Sequence, residues 1–233
     1  MKVKIWSDVR CPFCYIGKKK FEAALAKFPQ ENKVEVEWKS YQLDPNLQTD
    51  PNLSTLEYFV KTKGVSEAQA REMFSGATNM AAEVGLKFNL ETSVTANSFM
   101  AHRLIQLAKS KGLGNEIEEA LFKAHFEKAK NIDDAEVLQE IGTSIGLKAE
   151  EVKSTLQSDA FAYDVKQDEM EARNIGVRGV PFFVIDDKYA ISGAQPSNAF
   201  LQTLKKAWEE FKPKKNQLEI SKGDSCSTDG NCD

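Results

Sequence analysis

Cysteine is scarce in this 233-residue chain: there are four, and none lies between Tyr15 and Ser225. A secreted domain stapled by disulfides spreads its bridges through its interior, so that class is excluded. Long apolar runs are also missing; none approaches the roughly 20 residues that span a bilayer. The opening segment, Met1-Lys2-Val3-Lys4-Ile5-Trp6-Ser7-Asp8, carries no apolar signal core. A cytoplasmic location is the resulting expectation. Neither sign of charge dominates, with 31 Lys and Arg against 35 Asp and Glu. That interspersed balance gives no reason to expect nucleic acid or an anionic membrane as a partner. No nicotinamide or flavin fingerprint is present, so no bound cofactor is expected.

The four cysteines form two local pairs, Cys11/Cys14 and Cys226/Cys232. Cys11-Pro12-Phe13-Cys14 follows a short strand candidate (Val3, Ile5) and opens a helix candidate. A helix N-terminus carries roughly half a positive charge, which favours thiolate over thiol, and the thiolate is the nucleophile in disulfide exchange. Cys-x-x-Cys is also half of many zinc sites. A four-ligand site lacks an obvious second pair in the body of the chain, so no metal is expected. Cys11 sits at the helix edge, where free amides point at its sulfur, and Cys14 lies one turn in.

The order of elements is legible from pattern. Residues 2–7 alternate as a strand. Phe21, Ala24, Leu25 and Phe28 mark one face of a helix that Pro29 stops, and Val34, Val36 and Trp38 alternate in a second strand running towards Leu43. Helical spacing then dominates, with candidates at 54–63, 66–84, 97–110, 115–129, 134–145 and 149–157. Ser66-x-x-Gln69 reads as a capping box, Asp133 and Asp134 as caps, and Gly64, Gly85, Gly112, Gly114 and Gly146 as stops. A helix at 160–174 leads to a turn-rich approach, the strand Phe182–Ile185, a short connection Asp186–Lys188, the strand Tyr189–Ile191 and a last helix after Pro196. Beyond Phe211 the apolar pattern is lost. Strand-helix-strand, a helical block, then helix-strand-strand-helix is the plan of an α/β thioredoxin fold: a mixed four-stranded sheet with a large all-helical insertion. Residues 1–50 and 160–211 would form the thioredoxin-like domain, 51–159 the insertion domain, and 212–233 a polar tail.

Several segments together resemble a known family. Asp8-x-x-Cys11-Pro12-Phe13-Cys14-Tyr15-Ile16-Gly17, Asn97-Ser98-x-x-Ala101-His102-Arg103-Leu104, Leu121-Phe122-x-Ala124-His125-Phe126, Gly179-Val180-Pro181-Phe182-Phe183 and Ile191-Ser192-Gly193-Ala194 are similar to the DsbA-like thioredoxin-fold oxidoreductases, in particular the cytoplasmic FrnE-type branch. The resemblance implies that Cys11 attacks a disulfide and Cys14 resolves it. It also implies that Pro181 is a cis-proline packed against the dithiol. Val180 would then offer backbone groups to an extended substrate, a short β-augmentation. Phe13, beside the thiols, supplies neither a hydrogen-bond donor nor a cation. A dithiol less oxidising than that of DsbA, about −120 mV, is therefore expected.

Asp8 is a candidate proton acceptor near Cys14 or a strand-end carboxylate capping the helix. His102 and His125 lie on insertion helices and read more readily as satisfied structural histidines than as site residues. Phe99, Met100, Leu104, Phe122 and Phe126 read as insertion core, and Lys18, Lys19 and Lys20 as a solvated helix face. In the tail, Asp229-Gly230 is a turn signal that brings Cys226 and Cys232 together, and about fifteen residues of tether reach Cys11; the pair is a candidate second redox couple. The expected partners are protein thiols and disulfides, with glutathione or thioredoxin as the source of electrons. The competing functions are a glutathione-dependent small-molecule isomerase or transferase of the same fold and a metal-binding or chaperone-like protein. Asn97 and Arg103 fall where the insertion motifs of the hydroxychromene-carboxylate isomerases and kappa-class transferases would lie. Those enzymes typically use a serine at the first motif position, and this chain has both cysteines.

Overall fold

The computed structural model describes residues 1–211. β1 (Lys2–Ser7) turns Val3 and Ile5 to one face and Trp6 to the other, the period-2 alternation of a strand. α1 (Pro12–Leu25) starts on a proline, whose fixed φ and missing N–H suit the first turn. After a 3-10 turn at Glu31–Lys33 the chain forms β2 (Glu35–Ser40), parallel to β1 with Val3 opposite Val36 and Ile5 opposite Trp38. The strand ends at Ser40 rather than Leu43. The Leu43 amide donates instead to the Asp8 carboxylate at 2.8 Å, which takes it out of any ladder.

β3 (Asp50–Ser54) pairs antiparallel with β4 (Val94–Thr95), a small ribbon that sequence pattern does not reveal because Pro51 and polar neighbours hide any alternation. α2 (Thr55–Lys63) and α3 (Glu67–Ala82) each begin with a complete capping box, Ser54 with Glu57 and Ser66 with Gln69. α4 (Phe99–Ser110) is followed by α5 (Gly114–Phe122), which does not continue as an α-helix to residue 129 but widens into a π-turn at Lys123–Glu127. α6 (Ala135–Ser144) is capped by Asp134; Asp133 bonds the Thr49 hydroxyl instead. α7 (Ala149–Leu156) and α8 (Ala162–Asn174) lead back to β5 (Phe182–Ile185), β6 (Tyr189–Ser192) and α9 (Ser197–Glu210).

The main sheet has the order β2-β1-β5-β6, with β1 and β5 antiparallel and β5 and β6 a hairpin. Asp186 and Asp187 both take positive φ, 54° and 53°, the twist that a tight hairpin turn favours. α1 and α9 cover one face, where Phe21, Phe28, Phe183, Phe200 and Leu204 pack with Val3 and Ile5. Each fully buried phenylalanine contributes about 1.5–3 kcal/mol. On the other face Trp6 packs with Ala172 and Val177, and its indole N–H donates to the Asp168 carbonyl at 2.9 Å. This is the thioredoxin fold, with its helical insertion lying between β2 and α8 in the chain.

The insertion builds its own core, and that core extends to Cys11, Cys14, Tyr15 and Ile16 of α1. The dithiol therefore sits where α1 meets the insertion. Lys18 secures this seam. It is 1% exposed, not solvated: its ammonium bonds Glu119 of α5 at 2.8 Å and also Glu22. Lys19 reaches the same Glu119 carboxylate at 2.9 Å and the Tyr15 hydroxyl donates to it at 2.8 Å. Burial pushes the Glu119 carboxyl up, but Lys18 and Lys19 outweigh it and hold it at about 2.

Candidate active site

Cys11 occupies the N-cap position of α1, with extended backbone (φ −91°, ψ 112°) and no side-chain cap. Its amide donates to the Asp8 carbonyl at 2.9 Å, and the Cys14 amide donates to the Cys11 carbonyl at 3.0 Å. Both residues are thiols in this structure. Cys11 is 5% exposed and Cys14 1%, so neither is openly displayed, and the surface that Cys11 retains faces a cavity. Burial, and then the neighbouring Cys11 sulfur, push the Cys14 thiol well above its ordinary range, against the Asp8 amide and the Ser7 hydroxyl.

The Val180–Pro181 peptide bond is cis. The Val180 carbonyl lies 3.5 Å from the Cys11 sulfur and accepts from its thiol. Gly17, one turn past Cys14, lets this loop close on α1: a Cβ there would stand 2.9 Å from Pro181 Cγ and 3.5 Å from the Phe183 ring. The Pro181 carbonyl is in turn held by the Gly193 amide at 2.8 Å.

A cavity of about 510 Å³ opens over Cys11, Pro12 and Phe13, roofed by Tyr58 and Phe59 of α2 and Met73 and Phe74 of α3. Phe13, 41% exposed, stands at its mouth with the exposed side chains of Leu43 and Met73. The lining is mostly apolar, with Arg10, Lys63 and Asp44 as charges. Arg10 is placed over the Tyr58 ring at 5.7 Å, and the Tyr58 hydroxyl donates to Asp44 at 2.7 Å. Among the described residues no cluster of His, Cys, Asp and Glu has the makings of a metal site.

A dithiol at the start of a helix, a facing cis-proline loop and a sheet of this order fit one family of sequence models. Residues 2–205 match the DSBA-like thioredoxin domain. The chain belongs to that family. It is also 38% identical to a probable DsbA oxidoreductase from Streptomyces coelicolor, whose crystal structure superposes with a TM-score of 0.86 over 100% of this chain and 98% of that one. The uncharacterized protein YwbO of Bacillus subtilis is 28% identical over 208 residues, 87% of this chain and 94% of its own. The cytosolic disulfide reductase DsbM of Pseudomonas aeruginosa shares the fold at 15% identity, with a TM-score of 0.65 over 91% of this chain and all of DsbM.

The remaining residues singled out in the sequence fall around this DsbA-like dithiol in different ways. Asp8 does not cap α1. Its carboxylate is fully buried and accepts from the Arg10 amide at 3.1 Å and the Leu43 amide at 2.8 Å, with His102 Nε2 at 3.5 Å from Oδ1. Burial pushes the Asp8 carboxyl up, but His102, Arg10 and the Leu43 amide outweigh it and leave it below the usual carboxylate range. His102 is fully buried with its Nε2 facing Asp8 Oδ1, and among the described residues neither ring nitrogen meets hydrogen-bond geometry. His125 is the second buried histidine of the insertion. It lines the cavity, its Nδ1 has no hydrogen-bond partner among the described residues, and burial followed by the Arg10 cation pushes the imidazole down to about 4, so it is neutral at pH 7. The π-turn sets Ala124, His125 and Phe126 in succession against the interior, as such bulges do at functional positions. Phe126 belongs to both core and cavity wall, whereas Phe122 is core.

Asn97 and Arg103 are taken up by structural contacts, mostly to backbone, with the Gln42 amide also donating to Asn97 Oδ1 at 3.1 Å. Asn97 donates to the Leu47 carbonyl at 2.8 Å and accepts from the Phe99 amide at 2.7 Å; Arg103 donates to the carbonyls of Thr155, Ser158 and Ala160. Sequence reasoning missed Tyr58 and Met73, which line the cavity and carry no motif. Cys226 and Cys232 lie outside the described residues.

Proposed function

We propose that this protein is a dithiol-disulfide oxidoreductase acting on protein disulfides through Cys11 and Cys14, with disulfide isomerase activity by the same chemistry. The observation that carries the reading is the asymmetry of the dithiol: Cys11 faces the cavity and the Val180 carbonyl, while Cys14 is sealed behind it. The Cys11 thiolate attacks a substrate disulfide and one substrate sulfur leaves with the electron pair. The mixed disulfide is then attacked by Cys14, which releases the second substrate sulfur as a thiolate and leaves the Cys11–Cys14 disulfide. The Val180 backbone and Pro181 would hold an extended stretch of polypeptide across the thiols, with Phe13 at the cavity mouth packing on its side chains. Electrons return from glutathione or thioredoxin in a reducing compartment. The alternative reading, a glutathione-dependent isomerase or transferase, is disfavoured because Asn97 and Arg103 are engaged with backbone.

A Cys14→Ala variant tests this by accumulating mixed disulfides on Cys11. Captured proteins support the proposal; glutathione adducts alone, with turnover of an aromatic acid, reject it in favour of the alternative. The dithiol should also equilibrate with glutathione at a potential well below about −120 mV. For Cys226 and Cys232 as a second couple, a Cys226→Ser/Cys232→Ser chain with unchanged insulin reduction and recycling removes the idea.

A further inference from the structure

Two different walls meet at the Cys11 sulfur. The Val180 carbonyl stands on one side of it, and the cavity opens on another, with neither Val180 nor Pro181 in its lining. A polypeptide held along Val180 therefore leaves one flank of its cysteine over the cavity. At about 510 Å³ the space has the size of a ligand pocket. Three of the six exposed large apolar side chains among the described residues, Phe13, Leu43 and Met73, gather at its mouth. Scattered singly, such side chains mean nothing; gathered around one opening, they mark a surface that something covers.

Arg10 is the odd member of this apolar lining. It is half-buried, and none of the ion pairs among the described residues includes it. Its guanidinium lies over the Tyr58 ring at 5.7 Å, and its own amide is pinned to the Asp8 carboxylate at 3.1 Å. Asp44, the one carboxylate of the lining, is already taken by the Tyr58 hydroxyl at 2.7 Å and the Asn46 amide at 3.2 Å. Lys63, exposed, adds a second cation, so the lining sets two positive charges against one negative. The Arg10 charge reaches across the space, since it helps to hold the His125 imidazole neutral. A guanidinium in apolar surroundings is weakly screened and offers a planar fork of donors that matches a carboxylate.

We propose that the cavity is a selectivity subsite for one flank of the substrate cysteine, taking a large apolar residue next to that cysteine and, two positions further on, an acidic residue whose carboxylate pairs with Arg10. The proposal rests on the attacking role given above to Cys11 and names the substrate class for it. Residues two apart in an extended chain share a face, so both side chains enter the same opening. The apolar one covers Phe13, Leu43 and Met73, and the acidic one meets the guanidinium beside the Tyr58 ring. A lysine in the acidic position brings a third cation into the cavity and is rejected. The chemistry of attack is unchanged: the Cys11 thiolate bonds one substrate sulfur, and the other leaves with the electron pair of the broken S–S bond. What the subsite decides is which disulfides are held over Cys11 for that attack.

The test uses the reduced full-length chain in a Cys226→Ser/Cys232→Ser background and short peptides whose single cysteine is capped as a pyridyl disulfide. The cysteine is flanked by Phe-Gly-Glu, Phe-Gly-Lys or Gly-Gly-Glu, counted outwards from it, on each side in turn. Release of thiopyridone reports attack by Cys11, and release of free peptide reports resolution by Cys14. Each attack rate is divided by that of the same peptide with dithiothreitol, which cancels intrinsic reactivity. On one flank Phe-Gly-Glu should react about tenfold faster than either of the other two. Arg10→Met should bring the Glu and Lys peptides within twofold of each other and keep the preference for Phe over Gly. Met73→Glu, which sets a competing carboxylate at the mouth, should also erase the preference for Glu and carries the test if Arg10→Met does not fold. Either ratio within twofold on both flanks of the parent overturns the subsite, and a preference for Glu that survives Arg10→Met overturns the pairing. Attack with no release of peptide overturns the dithiol reading instead, with the selectivity still read from the first step.

Discussion

Replacing Glu118 by glutamine should make the protein more stable in alkali, and by an amount set by the burial of one carboxyl. In the folded chain this group titrates near 7, against 4.5 for an ordinary glutamate, because burial penalises its charged form. A folded pKa raised above the unfolded one means that the native state holds the proton more tightly. The contribution is then complete below about pH 4.5 and is lost as the pH climbs to 7. A gap of about 2.5 units corresponds to about 3 kcal/mol, of which about 2–3 kcal/mol disappears between pH 5 and pH 8. Glutamine keeps the shape and cannot ionise. Urea unfolding of the reduced parent and the variant, compared at pH 5 and pH 8, should show similar midpoints in acid and a clear gain for the variant in alkali. Other titrating groups are common to both chains and cancel in the difference. Parallel curves, with less than about 0.5 kcal/mol of relative change, would refute the idea that a buried carboxyl is forced to ionise.

Three further outcomes follow from contacts already described. Gly17→Ala places a methyl 2.9 Å from Pro181 Cγ, so it should cost about 1–3 kcal/mol in thermal unfolding and slow insulin reduction by displacing the Val180 carbonyl from Cys11. Lys18→Ala strips a buried ammonium from Glu119 and Glu22 and should destabilise the chain by about 3 kcal/mol in urea, with α1 and the insertion loosening together. His125 is depressed to about 4 by burial and by Arg10; its support for the fold is complete above pH 6.5 and is lost as the pH falls towards 4. His125→Phe should therefore remove up to about 3 kcal/mol of acid sensitivity in that window, measured as the pH dependence of the unfolding midpoint.

The parts of the molecule that were legible in the sequence are those written in local pattern. Val3, Ile5 and Trp38 alternate, Ser66 and Gln69 sit three apart, Pro12 and Pro29 bracket a helix, and Cys11 and Cys14 announce themselves by spacing. What stayed hidden depends on residues far apart in the chain. Lys18 belongs to a run of three lysines, and only its partner 101 residues away shows why it is buried. Glu118 and Glu119 look alike as adjacent acids on one helix, yet Glu119 gathers three ammonium groups, those of Lys18, Lys19 and Lys123, and Glu118 none among the described residues. The cavity likewise joins Phe13 to Tyr58, Met73 and His125, side chains that no short window contains together. The π-turn was invisible for another reason, since one extra residue in a helical turn does not disturb an apolar pattern enough to be read.

That extra residue bears on how this scaffold diverges. A π-turn is a helix carrying one more residue than its hydrogen-bond ladder needs, here between Lys123 and Glu127. Loss of a single codon there would restore an ordinary α-helix. It would also rotate the residues at these positions by about 100° about the helix axis. His125 and Phe126 would leave the cavity wall and their neighbours would enter it, while the sheet, the dithiol and the proline loop stayed in place. The lining of the cavity is thus open to replacement by a change in reading length, without a substitution at any residue that touches the sulfurs.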